Sequence, residues 1–212
     1  MKKVLFILLL GLPFALYAQN PWEQPEFKKQ NQQQKEKNVK KKVDDTKYLE
    51  GAVPEVNGQV VFSHDFDVPG RSSQQLYETM LQFAQELTES ENQLEGSNVS
   101  LVNKQDHIIA ANVKEWLIFK KSFLELDVTK FVFQLIITCT DGHVHAEANR
   151  LSYRYEEDRP TAFFVKAEEW INDENALNKK KDKLTKGSAK FRRKTVDRME
   201  QLFVEMENAA KK

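Results

Sequence analysis

Few residues in this chain have the chemistry of a catalytic or metal site. His143, His145 and Glu147 form an HxHxE pattern. On a strand, alternation sends all three to one face, and two imidazoles with a carboxylate are a donor set suited to a divalent metal. A catalytic zinc needs three converging ligands and an open position for water, and Glu147 lies far along the strand. The simpler reading is a solvated face beside a hairpin turn, so no cofactor is expected. Cys139 is the lone cysteine, which rules out an intramolecular disulfide. It ends an apolar run, where a small buried hydrophobe fits better than a nucleophile. His64 and Asp65 are adjacent and point to opposite faces of a strand, so they make no dyad. His64 shares the apolar face with Phe62 and Phe66 and reads as a hydrogen-bonded core histidine. His107 falls in a turn with no partner that the sequence identifies. There is no glycine-flanked serine or cysteine elbow, and the seven glycines form no phosphate-cradling loop. An enzyme is therefore the weaker hypothesis.

Charge is more informative by position than in total. The 32 Lys and Arg balance the 32 Asp and Glu, which gives no global reason to expect nucleic acid. The stretch from Lys179 to Arg198 nevertheless holds ten basic residues against Asp182 and Asp197. One reading docks these cations against acidic parts of their own domain. A second presents Lys190, Lys194 and Arg198, spaced at i and i+4, as a cationic stripe for an anionic partner such as a lipid headgroup, a polysaccharide or an acidic protein. A third, nucleic acid, lacks aromatics interleaved for base stacking.

The elements that must carry these residues follow from periodicity. Residues 1–18, MKKVLFILLLGLPFALYA, order a positive segment, an apolar run and a terminal Ala18, which is the pattern of a cleavable secretory signal. The run is too short, and too interrupted by Pro13, for a bilayer span. No transmembrane helix is expected once it is removed. Residues 19–47 are rich in Gln, Lys and Asn and read as a polar disordered tether. A single α+β domain is expected over 48–212. Val60, Phe62, His64, Phe66 and Val68 alternate as a half-buried strand. Ser72 and Gln75 form a capping box ahead of a helix with Leu76, Met80, Phe83, Ala84 and Leu87 inward. Strands over 99–102 and 108–119 make a hairpin, and 123–126 reads as a short edge piece. Phe131 to Cys139 and His143 to Tyr155 pair across an Asp141-Gly142 turn. The inward set of the return strand shifts phase between Ala148 and Leu151, which predicts a bulge at Asn149 or Arg150. Phe163 to Val165 continues the sheet edge, 175–184 reads as a short basic helix, and Ser188 caps a final helix with Phe191, Thr195, Met199, Leu202 and Met206 on one face.

The segments YLEGAVPEVNGQVVFSHDFDVP, EWLIFKKSFLELDVTKF and EEWINDENALNKKKDKL with KFRRKTVDR resemble, in that order, a family of exported Bacteroidetes proteins described as a domain of unknown function with a TATA-binding-protein-like fold. The resemblance implies a curved antiparallel sheet gripped by two main helices, in the order strand, helix, strands, helix. It implies no activity, and a shared fold does not carry DNA binding with it. The expected function is a non-catalytic periplasmic or envelope binding module for an unidentified partner, with an anionic one among the candidates. A second expectation is a carrier of a small apolar ligand, with Phe83, Phe131, Phe133 and Tyr153 as cavity wall.

Overall fold

The computed structural model describes residues 44–212, of which 45–212 form one compact unit. The expected signal, and the expected tether up to Val43, lie outside the described residues. The first elements are a 3-10 turn over Thr46–Tyr48 and a hairpin of β1 (Glu55–Val56) and β2 (Gln59–Val60). Asn57 and Gly58 turn that hairpin, both at positive φ, the conformation a two-residue turn of this hand needs. Then follow β3 (Phe62–Asp67), α1 (Ser73–Glu89), β4 (Asn98–Asn103), β5 (Ile108–Lys121), β6 (Leu126–Thr140), β7 (His143–Tyr155) and β8 (Phe163–Lys166). Three helices close the chain: α2 (Ala167–Trp170), α3 (Asp173–Ala176) and α4 (Ala189–Ala210). Strands β3 to β8 make one antiparallel sheet in the order β3-β7-β6-β5-β4, with β8 pairing the far half of β7 beyond β3. This is an α+β architecture in the order strand, helix, strands, helix that the resemblance implies.

Alternation decides which face is buried. Phe131, Phe133, Leu135 and Ile137 on β6, with Ile109, Val113 and Leu117 on β5, join Leu76, Met80 and Ala84 of α1 and Phe191, Met199, Leu202 and Met206 of α4 in one core. Both long helices therefore cover the same side of the sheet. The Ser72–Gln75 capping box forms as its sequence predicts. Ser188 occupies the N-cap position of α4, but its hydroxyl bonds Thr185 Oγ1 at 2.6 Å and makes no cap.

The bulge is present. Gln134 faces Asn149 while Val132 faces Ser152, so β7 gains one residue, with Arg150 at φ 56°. The extra residue returns Leu151 and Tyr153 to the side that holds Val144, Ala146 and Ala148, and all five are buried.

Three expectations are corrected. The basic segment 175–184 is no helix: α3 ends at Ala176, and an isolated Leu177–Leu184 bridge closes the lysine-rich loop. Clustered Lys179, Lys180 and Lys181 repel one another on so short a segment, and Lys181 takes the left-handed φ of a turn. Residues 123–126 are mainly a hairpin tip: the Ser122 N–H donates to the Glu125 carbonyl at 2.8 Å and joins β5 directly to β6. The polar tether ends earlier than 47. Asp45 accepts two bonds from Arg193 and Lys47 pairs with Asp197, so charge docks what composition alone leaves unpaired.

Candidate binding face and the residues that compose it

The face of the sheet turned away from α1 and α4 carries the alternate residues of every long strand. Register aligns them into rows. Trp116 on β5 faces Lys130 on β6, Lys130 faces Arg154 on β7, and Arg154 faces Phe164 on β8. The next row reads Lys114, Val132, Ser152, Lys166. The first row brackets two cations with two aromatic rings. Lys130 Nζ lies 5.9 Å from the Trp116 ring and the Arg154 guanidinium 5.5 Å from that of Phe164, within reach of cation–π attraction. Glu157 offsets one of the two charges, binding Lys130 directly and standing 3.6 Å from Arg154. Lys130 first, then the burial that opposes it and Arg154, leave the Glu157 carboxyl below its ordinary range. Phe164 is 59 % exposed. A cleft of about 490 Å³ runs over Lys114, Lys130, Val132, Arg154 and Phe164, and another of about 500 Å³ over Ser152, Phe164 and Lys166. Flat apolar rings beside paired cations suit a partner that offers anionic groups and planar or apolar surface together.

The histidines occupy the other end of the same face. β3 supplies their partners by register: Asp65 faces His145 and Asp67 faces His143. His143 Nδ1 lies 2.8 Å from Asp67 and its Nε2 3.2 Å from Asp65, while His145 Nδ1 lies 2.8 Å from Asp65. Asp67 and, against burial, Asp65 raise the His143 pKa, and His145 foremost lowers that of Asp65. Glu147, the third member of HxHxE, faces Ser63 and accepts from Asn149 instead. No group of three or more His, Cys, Asp or Glu among the described residues is placed to hold a metal ion. The histidines are anchored across strands by carboxylates from β3.

The stripe expected at Lys190, Lys194 and Arg198 does not face a partner as a set. Lys190 donates to Asp127 at 2.9 Å and to the Tyr155 hydroxyl at 2.8 Å, over the Tyr155 ring at 4.1 Å. Arg198 makes a two-pronged bond, at 2.7 and 3.0 Å, to the buried Glu115. Burial disfavours its charge, but Glu115 outweighs that and raises the Arg198 pKa. Lys194 alone of the three is exposed. Phe131, Phe133 and Tyr153, the wall of a ligand cavity in the carrier reading, pack against one another at 5.1 and 5.3 Å between ring centres and are essentially unexposed. These three fill the core, whereas Phe83 of α1 is half-buried and lines a cleft of about 620 Å³ with Leu87, Glu115, Arg198 and Ala209. Burial pushes the Cys139 thiol up to about 12, which leaves no thiolate near neutrality. His64 is half-buried, not core: it stacks on Phe203 and lies 3.2 Å from Glu207.

Sequence reasoning missed the aromatic and cationic row because its four members come from four successive strands, one from each. Strand pairing alone aligns them. The only local signal was alternation, which already sent Trp116, Lys130 and Arg154 away from the core.

Comparison places this arrangement among known folds. A family model described as a domain of unknown function with TBP-like fold, DUF4468, matches residues 62–154. The chain is similar to a DUF4468 family protein from Bacteroides ovatus, at 42 % identity over 79 % of this chain and 95 % of that one, with a TM-score of 0.73. It is also similar to a TBP-like protein from Parabacteroides distasonis, at 25 % identity over 75 % of this chain and 97 % of that one, with a TM-score of 0.61. No curated protein matches.

Proposed function

The chain belongs to the DUF4468 family of TBP-like domains, and from that premise we propose that it is a non-catalytic binding module of the periplasm or cell envelope that presents the uncovered face of its sheet to a partner. The secretory pattern of residues 1–18 and the polar composition of 19–43 support export of a domain held on a tether. One observation carries the reading: the registered row Trp116, Lys130, Arg154, Phe164 lies on a face that neither long helix covers. A cation held against a ring is partly desolvated before a partner arrives, so less hydration is lost on binding. Glu157 offsets only one of the two charges of Lys130 and Arg154, and an anionic group of the partner would balance the charge that is left. The partner sought is anionic and bears planar or apolar surface.

Affinity capture from envelope extract tests this. Wild type is compared with a double variant, Arg154→Glu and Phe164→Ser, both on exposed positions where unfolding stability is expected to change little. A partner retained by wild type and lost by the variant supports the module. Equal retention of every captured component by the two proteins overturns it.

A further inference from the structure

The hairpin joining β5 to β6 carries an apolar tip that the core does not use. Phe123 is 101 % exposed, Leu124 90 % and Leu126 62 %. Large apolar side chains scattered singly on a surface need no explanation, but three within four residues at one tip form a patch that does. The tip also runs on past the point where its strands pair with their outer neighbours. Pairing of β6 with β7 ends at Thr129 and Tyr155, and pairing of β5 with β4 ends at Asn112 and Asn98. Past Ile118 and Val128, β5 and β6 pair only with each other, through Lys120 with Asp127 and Lys121 with Leu126. The Ser122–Glu125 turn is held by its own bonds: the Ser122 N–H donates to the Glu125 carbonyl and the Glu125 N–H to Ser122 Oγ. A turn closed this way leaves Phe123 fully exposed, while Leu124 and Leu126 line the rim of a cleft of about 400 Å³ that they share with Trp116, Lys130 and Arg154.

Charge at the neck of this arm selects among occupants. Most of the nearby acids are already matched, Glu125 with Lys120, Asp127 with Lys190, Glu157 with Lys130 and Glu156 with Arg159, while Asp158 carries no ion pair among the described residues. Lys121 is exposed and carries no ion pair among the described residues. An apolar tip two residues deep with an uncompensated lysine at its neck matches a bilayer interface, where rings and branched chains enter the acyl boundary and a lysine meets anionic headgroups. We infer that the β5–β6 arm is a membrane-contact element, inserting Phe123 and Leu124 into the headgroup region of an anionic lipid surface with Lys121 at the phosphate level. The inference does not rest on the open face being a partner site.

The test is vesicle flotation of the chain from Gln19 onward, so that the apolar run at 4–12 cannot insert by itself. The described core lies wholly within 45–212, and the truncation leaves it intact. Vesicles of phosphatidylethanolamine with phosphatidylglycerol are compared with phosphatidylcholine alone. Wild type is expected to float with the anionic vesicles. Phe123→Ser with Leu124→Ser should lower partitioning by about tenfold or more, with no change in unfolding, since both side chains are fully exposed. Lys121→Glu should lower it by about fivefold or more on the anionic vesicles only. Wild type that ignores both vesicle types overturns the inference, as does a serine variant that binds like wild type. So does lipid-free self-association that the serine variant abolishes, because a second copy would then be the occupant.

Discussion

His143 sits between two carboxylates of the neighbouring strand, 2.8 Å from Asp67 and 3.2 Å from Asp65, and its pKa is raised above its ordinary 6.5. A raised folded pKa means that the ionic contribution is fully present below 6.5 and is lost as pH rises through the folded value. Asp65 acts on the other side. Its lowered pKa gives a contribution present above 3.8 and lost as pH falls through the folded value. Replacing His143→Gln should therefore cost stability at about pH 5.5 and cost less at about pH 9. Because the side chains are exposed and screened, the difference should stay below about 1 kcal/mol. Denaturant unfolding of the two proteins at both pH values measures it, and a constant difference would mean that the imidazole acts through packing alone. The spacing of HxHxE revealed that the histidines share a face. It hid their partners, because Asp65 and Asp67 reach them only through pairing of β3 with β7, about 80 residues away in sequence.

At the scale of the element, α4 shows how one periodic pattern can be read correctly and still conceal its most constrained residue. Phe191, Thr195, Met199, Leu202 and Met206 are all buried, as their spacing predicts. Arg192 is buried with them at 0 % exposure, although it stands in a run of cations that reads as a solvated surface. Its position three before Thr195 and seven before Met199 placed it on the inward face, and charge masked that signal. The guanidinium donates to the carbonyls of Tyr48, Ile171 and Leu49, each at 2.6 Å, and pairs with Asp173 at 2.5 Å. It thereby ties the start of the domain and the α2–α3 segment to the last helix. Three carbonyls and a carboxylate converge on this one side chain, and losing it leaves them unmatched. Arg192→Met should destabilise the domain by about 3–5 kcal/mol, read as a lowered midpoint in urea unfolding with the slope unchanged. A loss of less than about 1 kcal/mol would mean that water replaces the guanidinium and that the tie is dispensable. The bulge at Arg150 was more legible, because a phase change inside one strand is visible wherever both apolar sets must be buried. The failed helix over 175–184 shows the converse: basic composition without an apolar stripe does not hold a helix against the sheet.

For the domain as a whole, two long helices shield one side of the sheet and leave the other to water. The buried side was written in alternation and came out of the sequence nearly complete. The open side was not, because its pattern runs across strands, and only register turns Trp116, Lys130, Arg154 and Phe164 into a row. The same division accounts for the charges. Lys190, Arg198, Arg192 and Arg193 of the C-terminal stretch turn to Asp127, Glu115, Asp173 and Asp45, while Lys130 and Arg154 of the open face share Glu157. Removing the first group costs fold, and removing the second should cost binding. Hydroxyl-radical footprinting of the domain, free and with the captured partner, tests this most directly, because it reads the exposure of individual side chains without altering them. Trp116 and Phe164 should lose reactivity by about threefold or more on binding, with Phe83 and Val204 on the helix side unchanged. Protection of Phe83 and Val204 with Trp116 and Phe164 still fully reactive would contradict the account and move the binding surface to the helices.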